Sequence, residues 1–305
     1  MSNISIIIPT YNSAEYLSDT LESCLRQTLP ATEIIVIDDG STDDTKAVCK
    51  KYQNAVVYER VENGGVSRAR NLGTQHATGS EYVFLDADDK LLPTALDDLS
   101  KTLADSKAGM AYGMVIERAE PPKHPRLNGF DFAEGSPPVP AQRNFWRGAV
   151  ITPGSAIVRA DLHKKIGGFV TGYEPLEDRD YWIKVGLLAP AAFCDSVVLD
   201  KTWRPSSHGS QHAKRIFRGQ RAQRDLRAWC CEKNVDDSWI PTDPEILRRA
   251  LDEALWRREF SILPALRREA AQAGLTHWKS ALTSFFVRSA EPEWIHVTPR
   301  VEASA

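Results

Sequence analysis

The sequence predicts an α/β fold: a mainly parallel sheet flanked by helices, followed by a helical C-terminal extension. Three observations carry that prediction. Short β-rich apolar runs without alternation recur in the first ninety residues, stretches of helical periodicity separate them, and beyond Ser206 the composition turns to Arg, Ala, Leu and Trp. Unalternated apolar runs suit strands covered on both faces, and strand-helix-strand succession suits parallel pairing through right-handed crossovers.

The elements follow in chain order. "ISIIIP" from Ile4, "EIIVIDD" from Glu33 and "EYVFLDADD" from Glu81 read as neighbouring parallel strands. Between them, "SAEYLSDTLESCLRQT" carries Leu17, Leu21 and Leu25 at helical spacing. A helix beginning near Asp43 leads to a weaker strand, "AVVYER", and "VSRARNLGTQHATG" is a helix ending at a glycine. The strand-like "GMAYGMVIER" precedes two proline-rich stretches, "EPPKHPRLNGF" and "EGSPPVP", expected as surface loops. "ITPGSAIVRADLHKKIGGF" predicts a strand, a short helix and a Gly-Gly stop. "EPLEDRDYWIKVGLLAP" predicts an acid-fronted helix with Trp182, Val185 and Leu188 on one side. In the tail, "PEILRRALDEALWRREF" aligns Leu247, Leu251 and Leu255 and pairs Glu253 with Arg257, and Pro264 and Gly274 bracket one more helix. The expected domains are 1–205 and 206–305.

Composition narrows the function. With 305 residues, 42% hydrophobic and 26% charged, the chain has ordinary globular content, and a net charge of -3 argues against nucleic acid as the main partner. Five cysteines, odd in number and without metal-ligand spacing, read as free thiols. The N-terminal apolar run is too short for a signal peptide or a membrane span, so a cytoplasmic location is expected.

In parallel sheets ligands bind at the carboxyl ends of the strands, which here are "PTYN", "DDGSTD" and "DADD". Asp86, Asp88 and Asp89 crowd three carboxylates into four residues, a repulsion relieved by a cation, a hydrogen-bond donor or water. An acidic turn entering a helix at Pro93 is the plain account. A divalent cation shared with a diphosphate is the functional one, since Mg²⁺ and Mn²⁺ take hard oxygen ligands.

"IIIPTYNS", "IIVIDDGSTD", "GGVSRARNLGTQHATG", "YVFLDADD" and "LEDRDYW", in that order and spacing, resemble family 2 glycosyltransferases of the GT-A (Rossmann-like) fold. The resemblance covers the α/β domain. It implies a metal-dependent, inverting transferase that moves a sugar from a nucleotide-diphosphate donor, a UDP-sugar foremost, to a hydroxyl on a glycan or lipid-linked acceptor. Such chemistry serves polysaccharide, glycolipid or other cell-surface glycan synthesis. By position, Pro9, Tyr11 and Asp39 match residues around the base and ribose, and Asp86 the ribose or donor sugar. Asp88 matches the ligand of Mn²⁺ or Mg²⁺, and Arg70 a cation near the phosphates, with Arg68 as the second candidate. Asp178 matches the general base, Glu177 its support, and His208 a loop histidine near the diphosphate that completes the metal shell. Asp38 is equally a strand-end acid, and Asp89 a turn residue. Rival readings are a sugar-phosphate nucleotidyltransferase, which would want a glycine-rich basic loop that "PTYNSAEYL" lacks, and a non-catalytic sugar-nucleotide-binding scaffold.

Arg215, Arg218, Arg221, Arg224 and Arg227 recur every third residue. At 100° per residue they wrap a helix instead of forming one stripe. A solvated basic helix is the default expectation. The alternative is peripheral contact with an anionic inner membrane face or with a phosphorylated lipid acceptor, with Trp203 and Trp229 as the nearby interfacial anchors. Trp278, Leu282, Phe285 and Phe286 form an apolar face expected to pack on the domain or on a second copy in a homo-oligomer.

Overall fold

A computed structural model describes residues 3–119, 126–128, 151–203, 212–238, 240–275 and 300–301. The chain divides into two compact units, one of residues 1–171, 181–207 and 301–305, the other of 172–180 and 208–300. The single boundary expected after residue 205 therefore changes: residues 172–180, which carry Glu177 and Asp178, group with the helical unit.

The first unit is built on β1 (Ile4–Thr10), β2 (Glu33–Asp38), β3 (Val57–Arg60) and β4 (Glu81–Phe84), parallel in the order β3-β2-β1-β4. Ile7 lies opposite Ile35 on one side and Phe84 on the other. All residues of β1 and β4 are buried, which explains their unalternated apolar pattern. Helices α1 (Ala14–Leu25), α2 (Thr45–Lys51) and α3 (Val66–His76) supply the crossovers. Beyond β4 the sheet becomes mixed. A short β5 (Lys90–Leu91) and α4 (Ala95–Asp105) lead to β6 (Met110–Ala119), β7 (Arg126–Asn128) and β8 (Ala156–Arg159). Helix α5 (Ala160–Ile166) stops at the expected Gly-Gly pair, and α6 (Glu177–Leu188) precedes β9 (Ala191–Trp203). β8 runs antiparallel between β4 and β6, β9 pairs parallel with β6, and β5 and β7 add antiparallel edges.

Burial follows periodicity. Ile6, Ile8, Val36 and Val83 pack with Leu17, Leu21, Leu96 and Leu99 on one face, while Ile35 and Ile37 meet Ala69 of α3 on the other. Leu25 is exposed and Cys24 is buried in its place. Each four-residue step advances about 40° around a helix, so the third leucine has rotated out of the stripe. Helix α3 lies close on the sheet because Gly73 has no side chain: a Cβ there would stand 2.4 Å from Cγ2 of Ile7.

The second unit packs α7 (His212–Lys233), α8 (Asp243–Trp256) and α9 (Leu263–Gln272) around Phe217, Leu247, Leu251, Ile262 and Leu266. Thr242 donates its N–H and hydroxyl to Glu245 at 2.9 and 2.8 Å, a side-chain lock on the first turn of α8. The expected Glu253–Arg257 pair is present at 2.8 Å.

The arginine series departs from the solvated helix expected. Arg221 and Arg224 converge on Glu269 of α9 at 2.7 and 2.9 Å, and Arg224 also reaches Asp243 at 2.8 Å. Arg227 faces Asp237 at 3.5 Å and Asp243 at 3.8 Å, while Arg218 holds the Glu174 backbone carbonyl. A three-residue spacing turns successive guanidinia past α8 and α9 in sequence, so the charges cross-link helices instead of facing solvent. Trp229 is buried and therefore is not an interfacial anchor. The Trp203 side chain, Trp278, Leu282, Phe285, Phe286 and most of the proline-rich loops lie outside the described residues. None of the five cysteines is in a disulfide, and burial pushes the Cys24 thiol up to about 12. Among the described residues no helix is long and apolar enough to cross a membrane.

Two stability outcomes follow from this packing. Gly73→Val forces a branched side chain against Ile7 and should cost about 1–3 kcal/mol in denaturant unfolding. Combined with Ile7→Ala, the loss should fall short of the sum of the single losses, and simple additivity would refute the contact. Glu269→Gln leaves two guanidinia without their shared carboxylate and should cost about 2 kcal/mol. An unchanged unfolding midpoint would show that these pairs do not brace the helices.

Candidate functional site at the strand ends

The strand order reverses at β1: α1 and α2 carry the chain outward to β2 and β3, and α3 returns it to β4 on the other side. The carboxyl ends of β1, β2 and β4 flank this switch point, the place where ligands bind in open α/β sheets. The expected site residues of "PTYN", "DDGSTD" and "DADD" stand there.

The loop after β1 is stitched to the loop after β2. Asn12 adopts a left-handed backbone (φ 49°), donates its N–H to Ser41 Oγ at 2.9 Å and accepts the Thr42 N–H at 2.7 Å. Ala14 N–H donates to Asp43 Oδ2 at 2.9 Å. A non-glycine residue holds that conformation only when its surroundings impose it, and these bonds do. The result fixes Tyr11 as an exposed residue, 52% accessible, while Pro9 is buried inside β1 opposite Ile37.

Asp38, the last residue of β2, and Asp39 just after it do different work. Asp38 is fully buried, accepting the Ser41 N–H at 2.8 Å and the Tyr58 hydroxyl at 2.6 Å, so it is a strand-end clamp. Asp39 is 4% exposed, and its two oxygens accept the main-chain N–H groups of Gly64 and Gly65 at 2.8 and 2.9 Å. Gly65 has φ 92°, which brings consecutive N–H groups to one carboxylate at little steric cost. Burial raises the Asp39 carboxyl above its usual range, with the two N–H donors and Arg68 opposing and Asp38 adding to the shift.

At the end of β4, Arg70 donates to Asp86 Oδ1 at 2.8 Å, with 2% of its side chain exposed against 29% for Asp86. The guanidinium lies over the Phe169 ring at 5.1 Å. Arg70, expected at the phosphates, thus has the carboxylate of Asp86 as a partner. The less favoured Arg68 is only half-buried and acts on Asp39. Asn71 was not anticipated. It exchanges two hydrogen bonds of 2.8 Å with the Phe169 backbone and so fixes the ring beneath Arg70. Phe169 in turn stacks on Tyr181 at 4.1 Å and meets the edge of Phe84 at 4.8 Å. The asparagine of "SRARN" was the available signal.

Asp88 is half-buried and Asp89 buried. Burial pushes the Asp89 carboxyl well above the usual range, Asp86 and Asp88 add to this, and Lys201 and the Thr202 backbone oppose it. The triplet therefore resolves into three environments. Among the described residues no three acidic, histidine or cysteine side chains meet as a metal cage. His208 lies outside the described residues.

Glu177 and Asp178 open α6 in the other unit. Glu177 is buried, Asp178 half-buried, and Asp178 Oδ1 accepts the Arg179 N–H at 2.7 Å.

Comparison with known proteins agrees with this architecture. A Rickettsia felis protein named as an uncharacterized glycosyltransferase is 28% identical over 226 residues, 70% of this chain and 35% of that protein, so the chain spans about a third of that relative. The Bacillus subtilis minor teichoic acid biosynthesis protein GgaB is 41% identical over 93 residues, covering 28% of this chain and 10% of that one. Among solved structures, S. aureus TarS 1-349 in complex with UDP-GlcNAc matches with TM-score 0.60 at 21% identity, covering 89% of both chains, and shares the GT-A fold. Residues 5–167 match the family described as glycosyl transferase family 2, and the chain belongs to that family.

Proposed function

We propose that the chain transfers a sugar from a UDP-sugar to a hydroxyl acceptor by an inverting displacement assisted by Mn²⁺ or Mg²⁺, in the synthesis of a polysaccharide, glycolipid or other cell-surface glycan. The observation that carries this reading is the Asp39 cradle. A buried carboxylate held by two main-chain N–H groups at the switch point keeps lone pairs for one more donor, such as the N–H of a uracil ring. Solved structures of TarS 1-349 with UDP and with UDP-GlcNAc are of the same fold, which supports this choice of donor.

In this reading the exposed Tyr11 ring stacks on the base. Asp86, oriented by Arg70, takes a hydroxyl of the ribose or donor sugar, and Arg68 is a cation available to the phosphates. Asp88 would hold the cation, a hard-oxygen donor suited to Mg²⁺ or Mn²⁺. Such an ion commonly takes most of its shell from water and phosphate, so one carboxylate can be enough to hold it. When bound, such an ion neutralises charge on the departing diphosphate. Asp178 takes the proton of the incoming hydroxyl, opposite the leaving group, and Glu177 supports it.

Two variants separate the roles. Asp178→Asn should keep UDP-sugar binding, read as a thermal shift, while transfer falls at least about hundredfold. Full transfer would remove Asp178 as the base. Asp88→Ala should abolish the Mn²⁺-dependent part of UDP affinity and leave metal-free UDP binding unchanged. Undiminished metal dependence by calorimetry would place the cation elsewhere.

A further inference from the structure

The helical unit holds a cavity of about 400 Å³ between α7 and α8, and the charged part of its lining is mostly arginine. Arg179, Arg215, Arg249 and Arg257 face it together with His212, and Glu253 is the one acid. Glu253 is engaged by Arg257 at 2.8 Å. In the arginine series of α7, positions 218, 221, 224 and 227 are committed to Glu174, Glu269, Asp243 and Asp237. Arg215, the first of the series, makes no ion pair among the described residues. Burial and the charge of Arg215 hold the Arg179 guanidinium below its usual value, with Asp178 opposing. Packing guanidinia together in a recess costs free energy that an oxyanion would offset, and the planar fork of arginine suits phosphate oxygens.

Next to this cavity lies a shallower recess formed by Arg249, Asp252, Glu253, Leu255 and Trp256. Arg249 and Glu253 line both, so the surface is continuous from Arg215 to Trp256. Trp256 is 80% exposed, an unusual exposure for so large an apolar ring. The Arg257 guanidinium covers it at 5.4 Å, on one face. An aromatic ring beside carboxylates is a surface for a sugar or polyol, whose C–H groups pack on the ring while hydroxyls reach the acids.

We propose that this surface binds a phosphate-bearing sugar or polyol chain, with its phosphate at Arg215, Arg179 and Arg249 and a neighbouring unit on Trp256. The inference rests on the transferase reading and names the chemistry of its acceptor. The second unit then has a task of its own, the capture of an anionic chain.

The test uses the full chain and a glycerol phosphate hexamer as probe, with maltohexaose, inorganic phosphate and the oligonucleotide dT6 as comparisons, read by calorimetry. The hexamer should bind at least about tenfold more tightly than each comparison and weaken with added salt. Arg215→Gln with Arg249→Gln should weaken it at least about tenfold, the double Lys variant, which keeps the charge without the fork, should lose less than the double Gln variant, and Trp256→Ala should lose about threefold. Hexamer affinity that is indifferent to the double Gln variant and to Trp256→Ala overturns the site. Equal binding of dT6 overturns the polyol assignment in favour of a general phosphate-chain surface. Binding of UDP-sugar is measured on the same samples. Donor binding without hexamer binding defeats this inference alone, and hexamer binding without donor binding defeats the transferase reading instead.

Discussion

The strand-end site depends on a buried charge. Arg70 has 2% of its side chain exposed, and an unpaired guanidinium at that depth would cost several kcal/mol in lost hydration. It is retained because Asp86 stands 2.8 Å away at the end of β4 and the face of Phe169 lies beneath it. The pair works in both directions. Arg70 needs the carboxylate to remain buried, and Asp86 needs the arginine to hold one oriented position at the edge of the crevice. Asn71 and the aromatic stack of Phe169, Tyr181 and Phe84 fix the ring, so part of the unit's core exists to place one carboxylate.

The same logic organises β2 with different chemistry. Asp38 and Asp39 are adjacent acids, and two adjacent buried carboxylates repel. The fold separates them by giving each its own donors: a serine N–H and a tyrosine hydroxyl for Asp38, two glycine N–H groups for Asp39. Asp38, still within β2, braces β3 through Tyr58, and Asp39, just beyond the strand, meets the turn before α3. Only the second retains a place in the crevice. The acids of "DADD" are sorted in the same way, by burial and by partner, although their spacing makes them look alike.

Much of this was legible in the sequence because it rests on local patterning. Unalternated "ISIIIP" and "EIIVID" could only be strands covered on both faces, and their polar exits marked the crevice. What was not legible depends on which way a side chain turns once the helices dock. "SRARN" offers two arginines, and nothing in the string tells which is buried against Phe169, almost a hundred residues later. The antiparallel β8 and the mixed half of the sheet were equally hidden, since a four-residue apolar run has no direction. Leu25 shows the limit of a periodic pattern: four-residue spacing drifts, and the last member of the stripe faces water.

The arginines of α7 carry the argument furthest from the string. A three-residue repeat looks like a solvated basic helix when the helix is considered alone. Once α9 contributes Glu269 and α8 contributes Asp243, the repeat becomes a set of cross-links, because each guanidinium has rotated about 60° from the last. Such partly exposed pairs contribute modestly each, but several sharing two carboxylates fix the register of three helices. A rigid frame of that kind can hold further cations in place at its edge. Arg215 and Arg179 are brought together there against their mutual repulsion, and a fold that spends stability on that juxtaposition has reason to expect an anion.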